Sequence, residues 1–196
     1  MKTDLASSAD IQELVRRISA EEEKLDVLVN NAAQEVILPF VKTDMAVADQ
    51  VWRVNVRAVE ELTYLLLPLL KKSSGASIIN VSSIHDVMPY PNNLDYNMSK
   101  AALNMFTKTL ALELGPLGMR INNLSPGPVE TDINREVIDE IGRDNFAEWV
   151  PAGRVAQVDE MIGPSLFLAS EASSFVNGST LYADGGYMLN LVRYRP

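Results

Sequence analysis

The chain reads as an α/β protein built around a parallel sheet that is covered on both faces. Two observations predict this. Short, largely apolar runs alternate with longer segments of helical periodicity, and their centres, such as Val27-Leu-Val29 and Ile78-Ile79, are continuously apolar. Strands buried on both faces have that continuous apolar character, and strands separated by helices pair in parallel.

Asp10–Lys24 is predicted as a helix, with Ile11, Leu14, Val15 and Ile18 on one face and charges on the other. Asp26–Asn30 is predicted as a buried strand. One long helix is expected from about Met45 to Lys71, because Val47, Val51, Val54, Ala58, Leu62 and Leu65 recur at helical spacing. Ala76–Ser82 reads as the next strand, and Asp95–Leu114 as a helix that ends near Gly115-Pro116. Met119–Asn123 and Thr180–Ala183 complete the strands. Between them lie Glu130–Val150, expected to be a helical flap, and a helix over Val158–Ala169. No repeat or linker interrupts the chain, and its 196 residues suit one domain.

Composition narrows the function. With 17 Lys+Arg against 26 Asp+Glu the formal charge is −9, which disfavours a nucleic-acid surface. The absence of cysteine excludes disulfides and thiolate metal sites, and a single histidine, His85, cannot build a histidine-rich metal cluster. No metal site is expected. Leu62–Leu70 is strongly apolar, but Pro68 and flanking charges mark it as a buried helix end and not a membrane span. The start, Met1-Lys-Thr-Asp-Leu-Ala-Ser-Ser, has no secretory apolar run, so the expectation is a cytoplasmic protein.

The richest segment runs from Ser83 to Lys100. Tyr96 and Lys100 are four residues apart at the head of an apolar helix and so share one face. A free phenol titrates near about 10, and a neighbouring cation favours its ionised form. Lowering it to about 7 takes roughly 4 kcal/mol of differential stabilisation. A phenol tuned in this way exchanges a proton with an alcohol or carbonyl near neutral pH. Ser83, just after the Ala76–Ser82 strand, is placed to hold a substrate oxygen. Alternatively, a serine after a strand is an ordinary turn or cap residue.

These motifs resemble the short-chain dehydrogenase/reductase family along nearly the whole chain. Leu25-Asp-Val-Leu-Val-Asn-Asn-Ala-Ala33 is similar to that family's fourth strand and Asn-Asn-Ala-Gly turn. Trp52-Arg-Val-Asn55-Val resembles its asparagine-bearing helix, and Ile78-Ile-Asn-Val-Ser-Ser83 its fifth strand and serine. Tyr96-Asn-Met-Ser-Lys100 resembles its Tyr-x-x-x-Lys helix, and Arg120-Ile-Asn-Asn-Leu-Ser-Pro-Gly127 its sixth strand with the turn beside the nicotinamide. Asn177-Gly-Ser-Thr-Leu-Tyr-Ala-Asp184-Gly-Gly is similar to the last strand and its closing turn. The resemblance implies a Rossmann-like doubly wound sheet and an NAD(P)-dependent alcohol–carbonyl oxidoreductase that assembles through its two long helices. It implies catalytic roles for Asn55, Ser83, Tyr96 and Lys100, and cofactor contacts from Asp4, Asn30, Ala32, Tyr96, Lys100, Pro126, Gly127 and Thr131.

Several of these residues also have plainer readings. Asn55 either holds a water in a proton relay or kinks a long helix. Asn30 braces the Asn55 helix, lies beside adenosine, or is a turn residue. The loop Ser82-Ser-Ile-His-Asp-Val-Met-Pro-Tyr-Pro91 is similar to that of bacterial glucose 1-dehydrogenases, which also carry a glutamate where Glu35 stands. That narrower resemblance implies a sugar or polyol substrate, with Glu35, His85 and Asp86 as candidates for the pocket wall.

One family feature has no counterpart. None of the ten glycines forms the Thr-Gly-x-x-x-Gly-x-Gly turn that places a pyrophosphate at a helix N-terminus. Thr3-Asp4-Leu is similar to the family's third strand. The expectation is therefore a sheet without its first two strand–helix units, in which Asp26–Asn30 is an exposed edge. Which dinucleotide is used, NAD or NADP, is not legible. The alternative function is a catalytically impaired relative that persists as an oligomerisation or interaction module.

Overall fold

The structure, a computed structural model, describes residues 2–132 and 135–190. Four parallel strands form the main sheet: β1 (Val27–Asn30), β2 (Ser77–Val81), β3 (Arg120–Pro126) and a last strand, Thr180–Ala183. Two short strands precede that last one in the chain, β4 (Val129–Glu130) and β5 (Ala156–Gln157), and pair in parallel apart from it; Thr180–Ala183 is therefore β6. The sheet order is β1-β2-β3-β6.

Alternation along the strands decides which face each residue serves. In β2, Ile78 joins a core with Ile11 and Val15 of α1 (Ser8–Glu21), Leu66 and Leu70, and Ile121 of β3. Its neighbour Ile79 points the other way, onto Leu124 and Leu168. Both faces are therefore covered, which is the expected doubly wound arrangement. β1 stands at the edge of this sheet, and Val29 is 48% exposed there. Residues 2–4 carry no strand.

The helix expected over Met45–Lys71 is wound in three pieces. α2 (Met45–Trp52) is capped by the Asp44 carboxylate, which accepts from Ala46 N. Arg53–Arg57 then forms a π turn, and α3 (Ala58–Leu70) follows. The extra residue in the π turn buries Asn55 at 1% exposure, and such turns recur at functional sites. α4 (Leu94–Leu114) crosses the sheet and carries Tyr96, Lys100 and Thr107.

The expected flap contains two short helices, α5 (Arg135–Ile141) and α6 (Arg143–Ala147); residues 133 and 134 of that stretch lie outside the described residues. The expected helix at Val158 starts as a 3-10 turn through Met161 before α7 (Ile162–Ala169). Arg120 is buried at the C-terminal end of α7, donating to Leu168 O, Ser170 O and Ser173 Oγ, where a cation offsets the helix dipole. No helix among the described residues is long and apolar enough to cross a membrane.

A polar row crosses the sheet at one register: Asn30 opposite Asn80, Asn80 opposite Asn123, Asn123 opposite Thr180. Asn30 Nδ2 donates to Asn80 Oδ1 at 2.8 Å, and Asn80 Nδ2 to Thr107 Oγ1 at 2.8 Å. Thr107 Oγ1 donates to Asn123 Oδ1 at 2.6 Å, and Asn123 Nδ2 reaches Thr180 Oγ1 at 3.3 Å. Buried amides without partners destabilise a fold, so this chain of bonds satisfies the row and fixes where α4 sits along the sheet.

Candidate active site

The C-terminal ends of β1, β2 and β3 are where open parallel sheets bind ligands. Ser83 leaves β2 in extended backbone (φ −165°) and caps a 3-10 turn, Ile84–Asp86, its Oγ accepting from His85 N at 3.2 Å. Tyr96 lies in the first turn of α4. One turn later Lys100, 2% exposed, donates from Nζ to Val81 O at 2.8 Å. The same Nζ stands 5.3 Å from the centroid of the Tyr96 ring.

The sequence predicts a phenol lowered by Lys100, and the structure shows the opposite direction. Burial pushes Tyr96 up to about 12, the Glu35 carboxylate adds to the rise, and a hydrogen bond with Ser83 works against it. The cation lies over the ring face, and loss of water is the largest influence on the phenol. Burial likewise brings Lys100 down to about 8, with Glu35 and then Asp86 opposing.

Asn55 fastens this cluster. Its Oδ1 accepts from Gln34 N at 2.7 Å, and its Nδ2 donates to Gln34 O at 2.9 Å and to Ser99 Oγ at 3.0 Å. Ser99 Oγ in turn donates to Tyr96 O at 2.7 Å. Of the readings open at Asn55, the structure displays an irregular helix and a brace between the loop after β1 and α4. Asn30 braces the sheet through Asn80 and not the Asn55 helix.

Glu35 accepts a hydrogen bond from Asn93 Nδ2, which ties the loop after β1 to the residue preceding α4. Leu38 N reinforces that link by donating to Asn92 O at 2.7 Å. His85 Nδ1 lies 2.9 Å from Met88 O. A carbonyl only accepts, so Nδ1 carries the proton, which leaves Nε2 as an acceptor in the neutral ring. The His85 ring packs edge-on to Tyr96 and tilted against Tyr90.

Lys100 and His85 thus pack on Tyr96, Ser83 and Glu35 bear on its phenol, and Asn55 braces the start of its helix from behind. Asp86, a candidate for the pocket wall, is buried and turned inward instead. Asn93 joins the site without any local signal, since its partner Glu35 lies 58 positions away in sequence.

The remaining candidates stand apart in kind. Asp4 serves its own turn ahead of α1, its Oδ1 accepting from Ala6 N at 2.9 Å. Ala32 is exposed on the loop after β1, and Thr131 follows β4. Pro126 ends β3, and Gly127 follows it. A side chain at Gly127 would place its Cβ 2.6 Å from Asp184 Cα, so glycine there is required by packing against β6.

A doubly wound parallel sheet with a tyrosine, lysine and serine gathered at its C-terminal edge defines an α/β oxidoreductase. Residues 1–188 match the family model described as Enoyl-(Acyl carrier protein) reductase. Cyclopentanol dehydrogenase of Comamonas sp. is 36% identical over 178 residues, covering 90% of this chain and 71% of that protein. Carbonyl reductase [NADPH] 2 of Sus scrofa is 35% identical over 84% of this chain and 68% of its own length. Among solved structures, a gluconate 5-dehydrogenase from Burkholderia cenocepacia, in complex with NADP and tartrate, superposes with a TM-score of 0.89. It is 33% identical, and the match covers 95% of this chain and 73% of that one. The chain belongs to the short-chain dehydrogenase/reductase family of NAD(P)-dependent oxidoreductases.

Proposed function

We propose that this chain carries the proton-transfer machinery of an NAD(P)-dependent oxidoreductase that interconverts a secondary alcohol or sugar hydroxyl with a carbonyl. The observation that carries the reading is the meeting of Ser83 and Lys100 on Tyr96: a serine hydroxyl that draws the phenol's pKa down and an ammonium over its ring. With its pKa near about 12 the phenol is protonated at neutral pH, the form that donates to a substrate carbonyl oxygen. Ser83 orients that oxygen, and Lys100 holds positive charge beside the phenolate that forms. Asn55 keeps the loop after β1 and the start of α4 in place around them.

The donor set suits the hydroxyl-rich nicotinamide end of a dinucleotide. Lys100 has three N–H groups, one of them committed to Val81 O, and Tyr96 and Asn30 stand at the same edge. Pro126 and Gly127 would border the nicotinamide, and Thr131, Ala32 and Asp4 are its further candidate contacts. When bound, the nicotinamide supplies or accepts the hydride. The phosphates have no glycine-rich turn in these 196 residues. Weak binding is therefore the expected result of titrating the chain with NADH and with NADPH.

Glu35 and His85 Nε2 offer acceptors for further substrate hydroxyls, which favours a sugar or polyol. A groove of about 580 Å³ lined by Leu38, Phe40, Tyr90 and Leu94 bounds the site beyond Tyr90. Exposed Tyr64, Met98, Met105 and Leu112 on α3 and α4 support assembly through those helices. A cysteine-free, acidic chain of this kind fits the cytoplasm.

The decisive test is Tyr96→Phe, assayed with NAD(P)H and a carbonyl substrate. Turnover should vanish while the fold, read by circular dichroism, is kept; retained turnover removes Tyr96 from the chemistry. The second reading, an interaction module, is favoured by the β1 edge, where Val29 is 48% exposed. It requires that neither dinucleotide bind and that light scattering still find an oligomer.

A further inference from the structure

Asp86 closes the turn that Ser83 opens, its N–H donating to Ser83 O at 3.0 Å. Its side chain is 6% exposed and gathers donors from three other elements. Oδ1 accepts from the Tyr182 hydroxyl of β6 at 3.0 Å. Oδ2 accepts from Ser125 Oγ of β3 at 3.2 Å and from Asn104 Nδ2 of α4 at 3.3 Å. A carboxylate removed from water is held only where such donors replace its hydration. Burial raises the Asp86 carboxyl, while hydrogen bonds from Tyr182 and Ser125 and the charge of Lys108 hold it down.

The placement matters more than the number of bonds. Asn104 lies on the helix that carries Tyr96, two turns further along. Asp86 therefore fastens the serine-bearing turn to the tyrosine-bearing helix, and to both strands on that side of the sheet. The Ser83 hydroxyl bears directly on the titration of the Tyr96 phenol, so any slack between turn and helix would appear between these two groups.

We propose that Asp86 is a positioning residue, a buried clamp that sets the Ser83 hydroxyl against Tyr96. The inference rests on Ser83 and Tyr96 being the substrate-facing pair. Asp86 itself touches neither substrate nor cofactor in this scheme.

The test has two arms. Native-state hydrogen exchange would follow Asp86→Ala and the near-isosteric Asp86→Asn, with Leu168→Ala as a core control. The amides of Asp86 and Met88, bonded to Ser83 O and Ile84 O, should lose protection by at least about tenfold more than strand amides in β2 and β3. Equal loss across turn and strands, as expected for Leu168→Ala, would reduce Asp86 to a general stabiliser and overturn the clamp. The kinetic arm compares Asp86→Asn in wild-type and Ser83→Ala backgrounds, using NADPH and a carbonyl probe. On wild type, kcat should fall about tenfold with KM little changed; on Ser83→Ala the same substitution should cost almost nothing. Additive losses would overturn the clamp. Should Ser83→Ala leave the rate unchanged, the serine's own role fails, and the exchange arm still decides for or against the clamp.

Discussion

The Lys100 ammonium stands over the Tyr96 ring, 5.3 Å from its centroid, and donates a hydrogen bond to Val81 O. A cation so placed is attracted to the ring face but does not contact the phenolic oxygen. Both groups are consequently governed by burial, and their titrations move in the directions that disfavour charge.

Stability should follow those two shifts. Lys100 sits at about 8 in the folded chain, below its usual 10.5. Between those values the unfolded chain binds a proton that the folded chain does not, so stability rises with pH. Tyr96 sits at about 12 against a usual 10, so above 10 the folded chain retains a proton that the unfolded chain has lost, and stability falls. Urea unfolding from about pH 7 to pH 11 should show a maximum near pH 10. Lys100→Met should flatten the rising limb, whose full height is on the order of 3 kcal/mol. An unchanged rising limb in the variant would assign it to another group.

Thr107 is the hinge of the polar row, accepting from Asn80 and donating to Asn123. Thr107→Val keeps the shape and orphans one buried donor and one buried acceptor. A loss of roughly 2–4 kcal/mol is expected, by the cost of unsatisfied buried groups. Thr107→Ser retains the hydroxyl and should lose far less. Chemical denaturation of both variants separates the two, and equal losses would mean that the methyl packing, not the hydroxyl, matters at this site.

Asn55→Ala removes three bonds at once, two to Gln34 and one to Ser99. The loop after β1 is then held on this side by Glu35–Asn93 and Leu38–Asn92. Cleavage within residues 31–39 by a nonspecific protease should accelerate by more than about tenfold, from a loss of at least about 1.4 kcal/mol locally. Global unfolding should shift less. Unchanged cleavage would show that the other two links suffice.

What the sequence reveals about this chain divides along physical lines. The buried strands are legible because runs such as Ala76–Ser82 put an isoleucine, Ile78 or Ile79, on each face, and Tyr96 and Lys100 because helical spacing puts them on one face. Family motifs bring Ser83, Asn55 and Glu35 to the same site. Other features depend on distant partners and leave no local trace. Asp86 meets Tyr182 across 96 positions, and Glu35 meets Asn93 across 58. The π turn at Asn55 is hidden because the apolar spacing of Val51, Val54, Ala58 and Leu62 is also that of an ordinary helix. The rise of the Tyr96 pKa depends on how much water the folded site excludes, which spacing does not report.

Gly127 offers the sharpest steric test. It follows β3 with its N–H on Ala183 O at 3.0 Å, and a Cβ there would stand 2.6 Å from both Cα and Cβ of Asp184. Backbone cannot yield as a flexible side chain does, so Gly127→Ala must part β3 from the end of β6. Asp184 also caps the closing turn, accepting from Gly186 N at 2.9 Å and Met188 N at 3.0 Å. The strain should therefore spread into residues 184–190. A destabilisation of about 1–3 kcal/mol is expected, the range for overpacking. Amide shifts in a nitrogen–proton correlation spectrum should change most at Ala183 through Met188. Gly153, where an added Cβ would meet nothing within 4 Å but φ is +73°, provides the comparison. Gly153→Ala should cost about 1 kcal/mol from backbone strain alone and leave the β3–β6 amides in place. If Gly127→Ala proves as mild and as local as Gly153→Ala, the close approach of Gly127 to Asp184 does not constrain the fold.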